Sequence, residues 1–149
     1  MRNCKTVLNT VFAGVALAAM ALPAHAAEHE VKMLNKGEKG IMVFEPDLVR
    51  AAPGDTIHFI SVDAGHNAET IDGMIPEGAE TFKGKPSKDV TVTLGEEGVY
   101  GIRCTPHYGM GMVALIVVGE PTNLAEAEKV KNPGKAKKKF ADLFDRVKQ

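Results

Sequence analysis

Apolar and polar positions along the chain predict a series of short β-strands separated by turns. Seven segments combine β-branched, aromatic or alternating apolar residues, and glycine or proline stands in most of the turns between them. These segments are Glu30–Leu34, Ile41–Phe44, Leu48–Ala51, Thr56–Val62, Val90–Leu94, Val99–Cys104 and Met112–Val118. Strands of this length and spacing favour an antiparallel β-sandwich.

Two strand positions and one long connection can be predicted within this sandwich. Glu30–Leu34 is mixed in character and predicts an edge strand, whereas Thr56–Val62 is apolar on both faces and predicts a central one. Residues 63–88 have no sustained periodicity and contain four glycines and two prolines. We expect this segment to be a long connection with little regular structure.

The C-terminal part, from about residue 122, changes to helical spacing. Asn123 and Glu126 have the spacing of a capping box, which starts a helix, and Pro133-Gly134 ends that helix. From Lys135 onward the apolar residues predict a second helix packed on the sandwich with solvated lysines. A basic surface that binds a partner is the alternative interpretation of these lysines. The apolar residues are Ala136, Phe140, Leu143, Phe144 and Val147.

The N-terminal segment has the pattern of a secretory signal peptide. Arg2 and Lys5 precede an apolar run, which the cleavage pattern Ala24-His25-Ala26 follows. The sequence therefore predicts a signal peptide at residues 1–26 and a single domain at residues 27–149, with export to the periplasm. An uncleaved N-terminal anchor is the alternative, but the apolar run is short for a membrane span.

Removal of the signal peptide changes the charge and the cysteine content. Sixteen of the 18 basic residues remain against 19 acidic ones, a net charge of −3. This weak charge gives no support to nucleic acid or a membrane as a partner. Cys4 is also removed, so Cys104 is the single cysteine of the predicted mature chain. A lone thiol in an oxidising compartment needs protection, which coordination to a metal provides.

The stretch from Arg103 to Met112 carries the candidate chemistry. Cys104, His107 and Met112 place a thiol, an imidazole and a thioether within nine residues, on a segment too tight for a helix or a strand. This mixture of donors suits one copper ion better than other common metals, and methionine is a poor ligand for zinc. His66, in a Gly-His-Asn sequence after the predicted central strand, is the candidate second imidazole.

Two methionines compete for the axial position of such a site. Met112 begins the last strand, so its side chain can face inward, whereas Met110 lies between two glycines at the tip of the loop. We therefore predict Met112 as the ligand and Met110 as part of an exposed apolar rim. The alternative is that both methionines are core residues.

These motifs resemble the blue-copper cupredoxin family, and within it the pseudoazurins. The resemblance includes Cys104-x2-His107-x4-Met112, Gly65-His66-Asn67 and further segments over nearly the whole mature chain: Met33–Gly37, Met42–Pro46 and Asp72–Glu80. It implies an all-β, cupredoxin-like Greek-key β-sandwich with two C-terminal helices. It also implies one mononuclear copper ion per chain, held by His66, Cys104, His107 and Met112, and a backbone near Asn67 that hydrogen-bonds the cysteine sulfur.

The resemblance further implies a function in electron transfer. The expected protein is a monomeric periplasmic carrier that shuttles one electron through Cu(I)/Cu(II), with a cytochrome-type donor and copper nitrite reductase as acceptor. An apolar patch around His107, with Lys36, Lys83 and Arg103 at its rim, would contact these partners. The sequence has no recognisable serine nucleophile, acid–base pair or phosphate loop that would indicate an enzyme. A copper chaperone or storage protein, a zinc-stabilised structural domain and an oxidase are the alternatives, and the colour of the copper-loaded protein separates them.

Overall fold

A computed structural model describes residues 25–149, which form two four-stranded sheets packed face to face and followed by two helices. The strands are β1 (Glu28–Gly37), β2 (Gly40–Glu45), β3 (Leu48–Ala51), β4 (Asp55–Ser61), β5 (Glu69–Thr70), β6 (Val90–Leu94), β7 (Gly98–Arg103) and β8 (Val113–Val118). A 3-10 helix at Thr105–Met110 joins β7 to β8, and α1 (Leu124–Ala127) and α2 (Gly134–Val147) follow β8. The predicted cupredoxin-like sandwich with two C-terminal helices is confirmed, and all seven predicted strands are present.

The first sheet has the strand order β2-β1-β4-β6. β4 lies inside the sheet, as predicted for Thr56–Val62, but β1 also lies inside it, so the prediction of an edge strand at Glu30–Leu34 was wrong. The polar residues of β1 reflect its solvent-facing side, while both of its hydrogen-bonding edges are occupied by β2 and β4.

The second sheet has the order β3-β8-β7-β5 and is completed by the two-residue strand β5 from the long connection. The prediction of a purely antiparallel sandwich was also wrong, because β1 pairs with β4 and β3 pairs with β8 in parallel. Side-chain patterning reports which face of a strand is buried and does not distinguish parallel from antiparallel neighbours when connections cross between sheets.

β8 separates two hydrophobic cores. Ala114, Ile116 and Val118 point into the core between the two sheets, and the alternate residues point into a core that α2 covers. Every residue of β8 is therefore buried. The first core also contains Cys104 and Met112, so these two candidate ligands lie in a packed interior rather than on a loop surface.

The first helix begins where the sequence predicted, but the capping box does not form. The side chain of Asn123 accepts a hydrogen bond from the backbone nitrogen of Val99 at 2.7 Å and donates to the oxygen of the same residue at 3.0 Å. Asn123 makes no side-chain cap to α1. It therefore ties the C-terminal segment to β7, a long-range role that local spacing does not reveal.

The second helix packs on the sandwich through the predicted apolar residues Ala136, Phe140, Leu143, Phe144 and Val147, all of which are buried. Among the residues that the structure describes, no helix is long and apolar enough to cross a membrane. The predicted signal peptide lies outside the described residues except for His25 and Ala26, and it stays a prediction.

Candidate metal centre

A backbone hydrogen bond between Cys104 and Met112 joins the two ends of the loop that carries the candidate ligands in the sequence. The backbone nitrogen of Cys104 donates to the oxygen of Met112 at 3.0 Å, and the nitrogen of Met112 donates to the oxygen of His107 at 3.2 Å. The residues between them are more regular than predicted, because they form the 3-10 helix with Pro106 in its first turn. Proline suits this position since its nitrogen has no hydrogen that needs an acceptor. Gly111 ends the turn at φ +93°, a conformation that favours glycine.

A second loop, after β4, carries His66. Gly65 has a φ of +88° and donates its backbone N–H to the Ser87 hydroxyl at 2.8 Å. The backbone nitrogen of Ser87 in turn donates to the oxygen of His66 at 2.8 Å. The end of the long connection therefore folds back on its beginning and holds the loop that carries His66, although the connection contains almost no regular secondary structure.

The two loops bring three donor atoms together. The Nδ1 atoms of His66 and His107 lie 3.1 Å apart, and the Sγ atom of Cys104 lies 3.7 Å from the first and 3.5 Å from the second. The centre of this triangle is about 2 Å from each atom, close to the metal–nitrogen and metal–sulfur distances of protein sites. The donors therefore fit one transition-metal ion. His66 and Cys104 are fully buried and His107 is partly exposed.

Asn35 fixes the orientation of the buried imidazole. The Nε2 atom of His66 donates a hydrogen bond to the side-chain oxygen of Asn35 at 2.9 Å, which leaves a lone pair on the Nδ1 atom that faces the other donors. Burial lowers the pKa of His66, and the nearby His107 lowers it further. Both effects favour the neutral imidazole that a metal requires.

The thiol of Cys104 is protected until a cation is bound. Burial raises the pKa of Cys104, while backbone N–H groups of Asn67 and His107 act in the opposite direction. The expected hydrogen bond between the Asn67 backbone and the cysteine sulfur stays a prediction that this effect supports. A bound metal ion would compensate the cost of ionising a buried thiol and would make the thiolate the stable form.

The two methionines differ as predicted. Met112 is fully buried and belongs to the same core as Cys104, whereas Met110 is 46% exposed. The backbone bonds of Met112 to Cys104 and His107 place it beside both of these donors. Its role as the axial ligand stays a prediction that its position supports.

Two residues near the site were missed by sequence reasoning. Asn35 looked like an ordinary turn residue, and Glu69 lies in a segment without periodicity. The carboxylate of Glu69 is buried and pairs with the guanidinium of Arg103 at 2.5 Å and the amine of Lys83 at 3.6 Å. Burial raises the pKa of Glu69, but the hydrogen bond and charge of Arg103 outweigh this and leave the pKa below its ordinary value. No local signal identifies either residue, because each acts on a partner more than 10 positions away in sequence.

Three comparisons with known proteins indicate the same family of copper-binding proteins. The model of copper-binding proteins of the plastocyanin/azurin family matches residues 31–119. A pseudoazurin from Paracoccus pantotrophus is 54% identical over 129 residues, which are 86% of this chain and 89% of the relative. The solved structure of a pseudoazurin from Sinorhizobium meliloti has a TM-score of 0.81 at 48% sequence identity. The match covers 83% of this chain and 98% of the chain of that pseudoazurin. The structure of a pseudoazurin from Methylobacterium extorquens AM1 has a TM-score of 0.78 at 49% identity. The match covers 80% of this chain and 98% of the chain of that pseudoazurin.

Proposed function

The chain belongs to the plastocyanin/azurin family of copper-binding proteins, among its pseudoazurins, and is a blue-copper electron carrier; from this premise we propose that it works in the periplasm and delivers electrons to a denitrification enzyme such as copper nitrite reductase. A cytochrome-type protein is the proposed donor, and the carrier itself is proposed to be monomeric. The periplasmic location rests on the predicted signal peptide.

The observation that carries the proposal is the convergence of two imidazole nitrogens and one thiol sulfur. His66, Cys104 and His107 would hold the copper ion through two imidazoles and a thiolate, and Met112 would add a weak thioether donor. When bound, copper supplies a one-electron couple between Cu(I) and Cu(II). Two imidazoles, a thiolate and a weak thioether suit both oxidation states, so little has to move when the electron does.

The protein holds its donors in place in both states. Cys104 and Met112 belong to the core between the sheets, and His66 is oriented by Asn35. A rigid donor set keeps the rearrangement that accompanies electron transfer small. The burial of Cys104 and His66 also restricts the access of water and of other small molecules to these two donors. We therefore propose a carrier and not an enzyme.

His107 is the proposed route for the electron. It is the most exposed of the three converging donors, and Pro106, Gly109 and Met110 around it are exposed. These residues form the predicted apolar rim against which a partner can pack. The imidazole of His107 would give an electron a direct route from the site to the surface.

The charge of two of the three predicted rim cations is partly compensated in the structure. Lys83 and Arg103 both pair with the buried Glu69, so part of their charge is compensated, whereas Lys36 is exposed. A moderate positive field is sufficient to steer an acidic partner and still allow rapid release. This combination suits a carrier that must bind and leave two partners in turn.

The colour of the copper-loaded protein tests the metal site. We expect an intense blue that arises from charge transfer between the Cys104 thiolate and copper. Cys104→Ser should remove the colour, while His58→Gln, which changes an imidazole in β4, should retain it. A pale wild-type protein would refute the blue-copper assignment and favour a chaperone or a zinc domain.

Electron transfer and location need separate experiments. Stopped-flow mixing of the reduced protein with copper nitrite reductase should show oxidation that depends on the enzyme concentration. N-terminal sequencing of the protein from a periplasmic fraction should begin at Ala27. Absence of oxidation would reject the acceptor, and recovery of the protein from the cytoplasm with residues 1–26 intact would reject the location.

A further inference from the structure

The segment after β8 lies directly against the ligand loop. Asn132, Gly134 and Lys135, at the start of α2 and just before it, contact three residues between His107 and Met112. The family model ends at residue 119, so this segment lies outside the matched region. We propose that the C-terminal segment fixes the geometry of the ligand loop and that Asp47 is the positioning residue that anchors this segment.

The contacts with the loop involve one pair of side chains and two places where a glycine allows close approach. The hydroxyl of Tyr108 donates to the side-chain oxygen of Asn132, whose own amide donates to the oxygen of Val130 at 3.0 Å. A Cβ atom on Gly134 would collide with the carbonyl oxygen of Gly109. With no side chain between them, the two backbones cannot move independently in this direction.

A second close contact lies two residues further along the loop and one residue further along the C-terminal segment. A Cβ atom on Gly111 would lie 3.3 Å from the Cβ atom of Lys135. Gly109 and Gly111 flank Met110 and give the loop more backbone freedom than other residues would. The packing against Gly134 and Lys135 restricts this freedom between the proposed ligands His107 and Met112.

Asp47 connects α2 to the sandwich. Its carboxylate is 3% exposed and contacts the amine of Lys139 at 2.6 Å and the guanidinium of Arg146 at 3.0 Å, both on α2. Lys39, in the turn between β1 and β2, contributes a third cation at 2.9 Å. The backbone oxygen of Asp47 accepts from the nitrogen of Leu115 at 2.9 Å, which fixes the residue to β8.

The charge of Asp47 is maintained by these partners. Burial alone would raise the pKa of Asp47, but hydrogen bonds from Lys139, Lys39 and Arg146 hold it well below its ordinary value. A buried carboxylate with three cations fixes the position of α2 along the sheet more precisely than apolar contacts, which tolerate small shifts. The position of α2 then sets how closely Gly134 approaches the loop.

Gly134→Ala tests the contact with the loop, and Gly78→Ala is its matched control. Both glycines have positive φ values, +49° and +81°, but a Cβ atom on Gly78 would meet no neighbour within 4 Å. In the metal-free protein, we expect Gly134→Ala to accelerate hydrogen exchange of the Gly111 and Met112 amides at least about tenfold. With copper bound, the visible absorption bands should shift. Equal effects of the two variants would overturn the proposal.

Asp47→Asn tests the anchor, and Asp142→Asn is its control on the exposed side of α2, 63% exposed and 3.8 Å from Arg146. Asp47→Asn should reproduce the changes of Gly134→Ala in the loop amides and in the absorption bands, and Asp142→Asn should not. If Asp47→Asn lowers only the melting temperature, its role is structural and the proposal fails. If Asp47→Asn does not fold, Lys139→Gln, which removes the partner of Asp47 on α2 at 2.6 Å, tests the anchor by the same two measurements.

The proposal rests on the proposed ligand role of His107 and Met112, but its test separates the two. Hydrogen exchange in the metal-free protein reports the contact between α2 and the loop whether or not copper binds. A wild-type protein without blue colour would refute the proposed function. Unchanged exchange in Gly134→Ala would refute the positioning role.

Discussion

Two hydrogen bonds connect Asn67 with Thr105 and thereby join the two loops that carry the proposed ligands. The side-chain oxygen of Asn67 accepts from the backbone nitrogen of Thr105 at 2.8 Å, and its amide donates to the Thr105 hydroxyl at 3.1 Å. The same amide also donates to the oxygen of Gly84 at 3.2 Å. Because Asn67 follows His66 and Thr105 follows Cys104, this pair sets the separation of a buried imidazole and a buried thiol.

Asn67→Ala should lower the free energy of unfolding of the metal-free protein by about 2 kcal/mol, since it leaves buried polar groups without partners. A double-mutant cycle with Thr105→Ala, measured by urea unfolding, should give a coupling energy of about 1 kcal/mol. Thr122 is the control, because its hydroxyl bonds to the oxygen of Glu97, away from this pair. A cycle of Asn67→Ala with Thr122→Ala should show no coupling, and equal coupling in both cycles would contradict the prediction.

Copper should stabilise the folded chain through its binding to the folded state. Free copper at 100 times its dissociation constant is expected to add about 2.7 kcal/mol to the free energy of unfolding. Cys104→Ser should lose most of this gain, and His58→Gln should keep it, because His58 bonds to Thr91 in the first sheet. Thermal unfolding with and without copper measures the difference. Retention of the full gain by Cys104→Ser would exclude the thiolate as a ligand.

Much of the site could be predicted because its chemistry is concentrated in one short segment. Cys104, His107 and Met112 are close in sequence, and their side chains have few common roles together other than copper binding. The separation of Met110 from Met112 also followed from local position, since the second begins a strand. Predictions of this kind depend only on residue type and spacing.

The remaining features depend on contacts between distant parts of the chain. The parallel pairing of β1 with β4 and the bonds of Asn123 to Val99 leave no periodic pattern in sequence. The buried carboxylates of Asp47 and Glu69 could not be recognised either, because acidic residues are normally exposed. Their cations lie on other elements, and only the fold brings these charges together.

Compensation of charge by Glu69 should make two rim lysines differ in their effect on partner binding. Lys36 is exposed and follows Asn35, which contacts His66, whereas Lys83 pairs with Glu69. At low ionic strength, Lys36→Gln should slow association with an acidic redox partner by about threefold, and Lys83→Gln should slow it less. Stopped-flow rates over a range of salt concentrations test this difference, which should disappear at high salt. A larger effect of Lys83→Gln would contradict the prediction.

Gly101→Ala should destabilise the second core because no space is available for the added methyl group. A Cβ atom at Gly101, on β7, would lie 2.7–2.9 Å from three side-chain atoms of the buried Met74. The backbones of these residues are also joined, with the nitrogen of Gly101 donating to the oxygen of Met74 at 2.7 Å, so neither can withdraw easily. We expect a loss of about 1–3 kcal/mol in urea unfolding. Gly95→Ala, where a Cβ atom meets nothing within 4 Å, should cost less, and equal losses would refute the steric explanation.

The carboxylate of Asp55 should make stability depend on pH between about 4 and 2. It accepts hydrogen bonds from His29 at 2.9 Å and from the backbone nitrogens of Ala52 at 2.9 Å and Ala27 at 2.7 Å. The bond from His29, with those from the two backbone groups, lowers the pKa of Asp55 from 3.8 to about 2. Because the folded state has the lower pKa, the stabilisation is present above pH 4 and is lost as the pH falls through 2. Unfolding of the wild type and of Asp55→Asn, followed at pH values from 6 to 2, should show a difference in stability that narrows in this window. A difference that stays constant from pH 6 to 2 would show that Asp55 contributes through its shape and not through its charge.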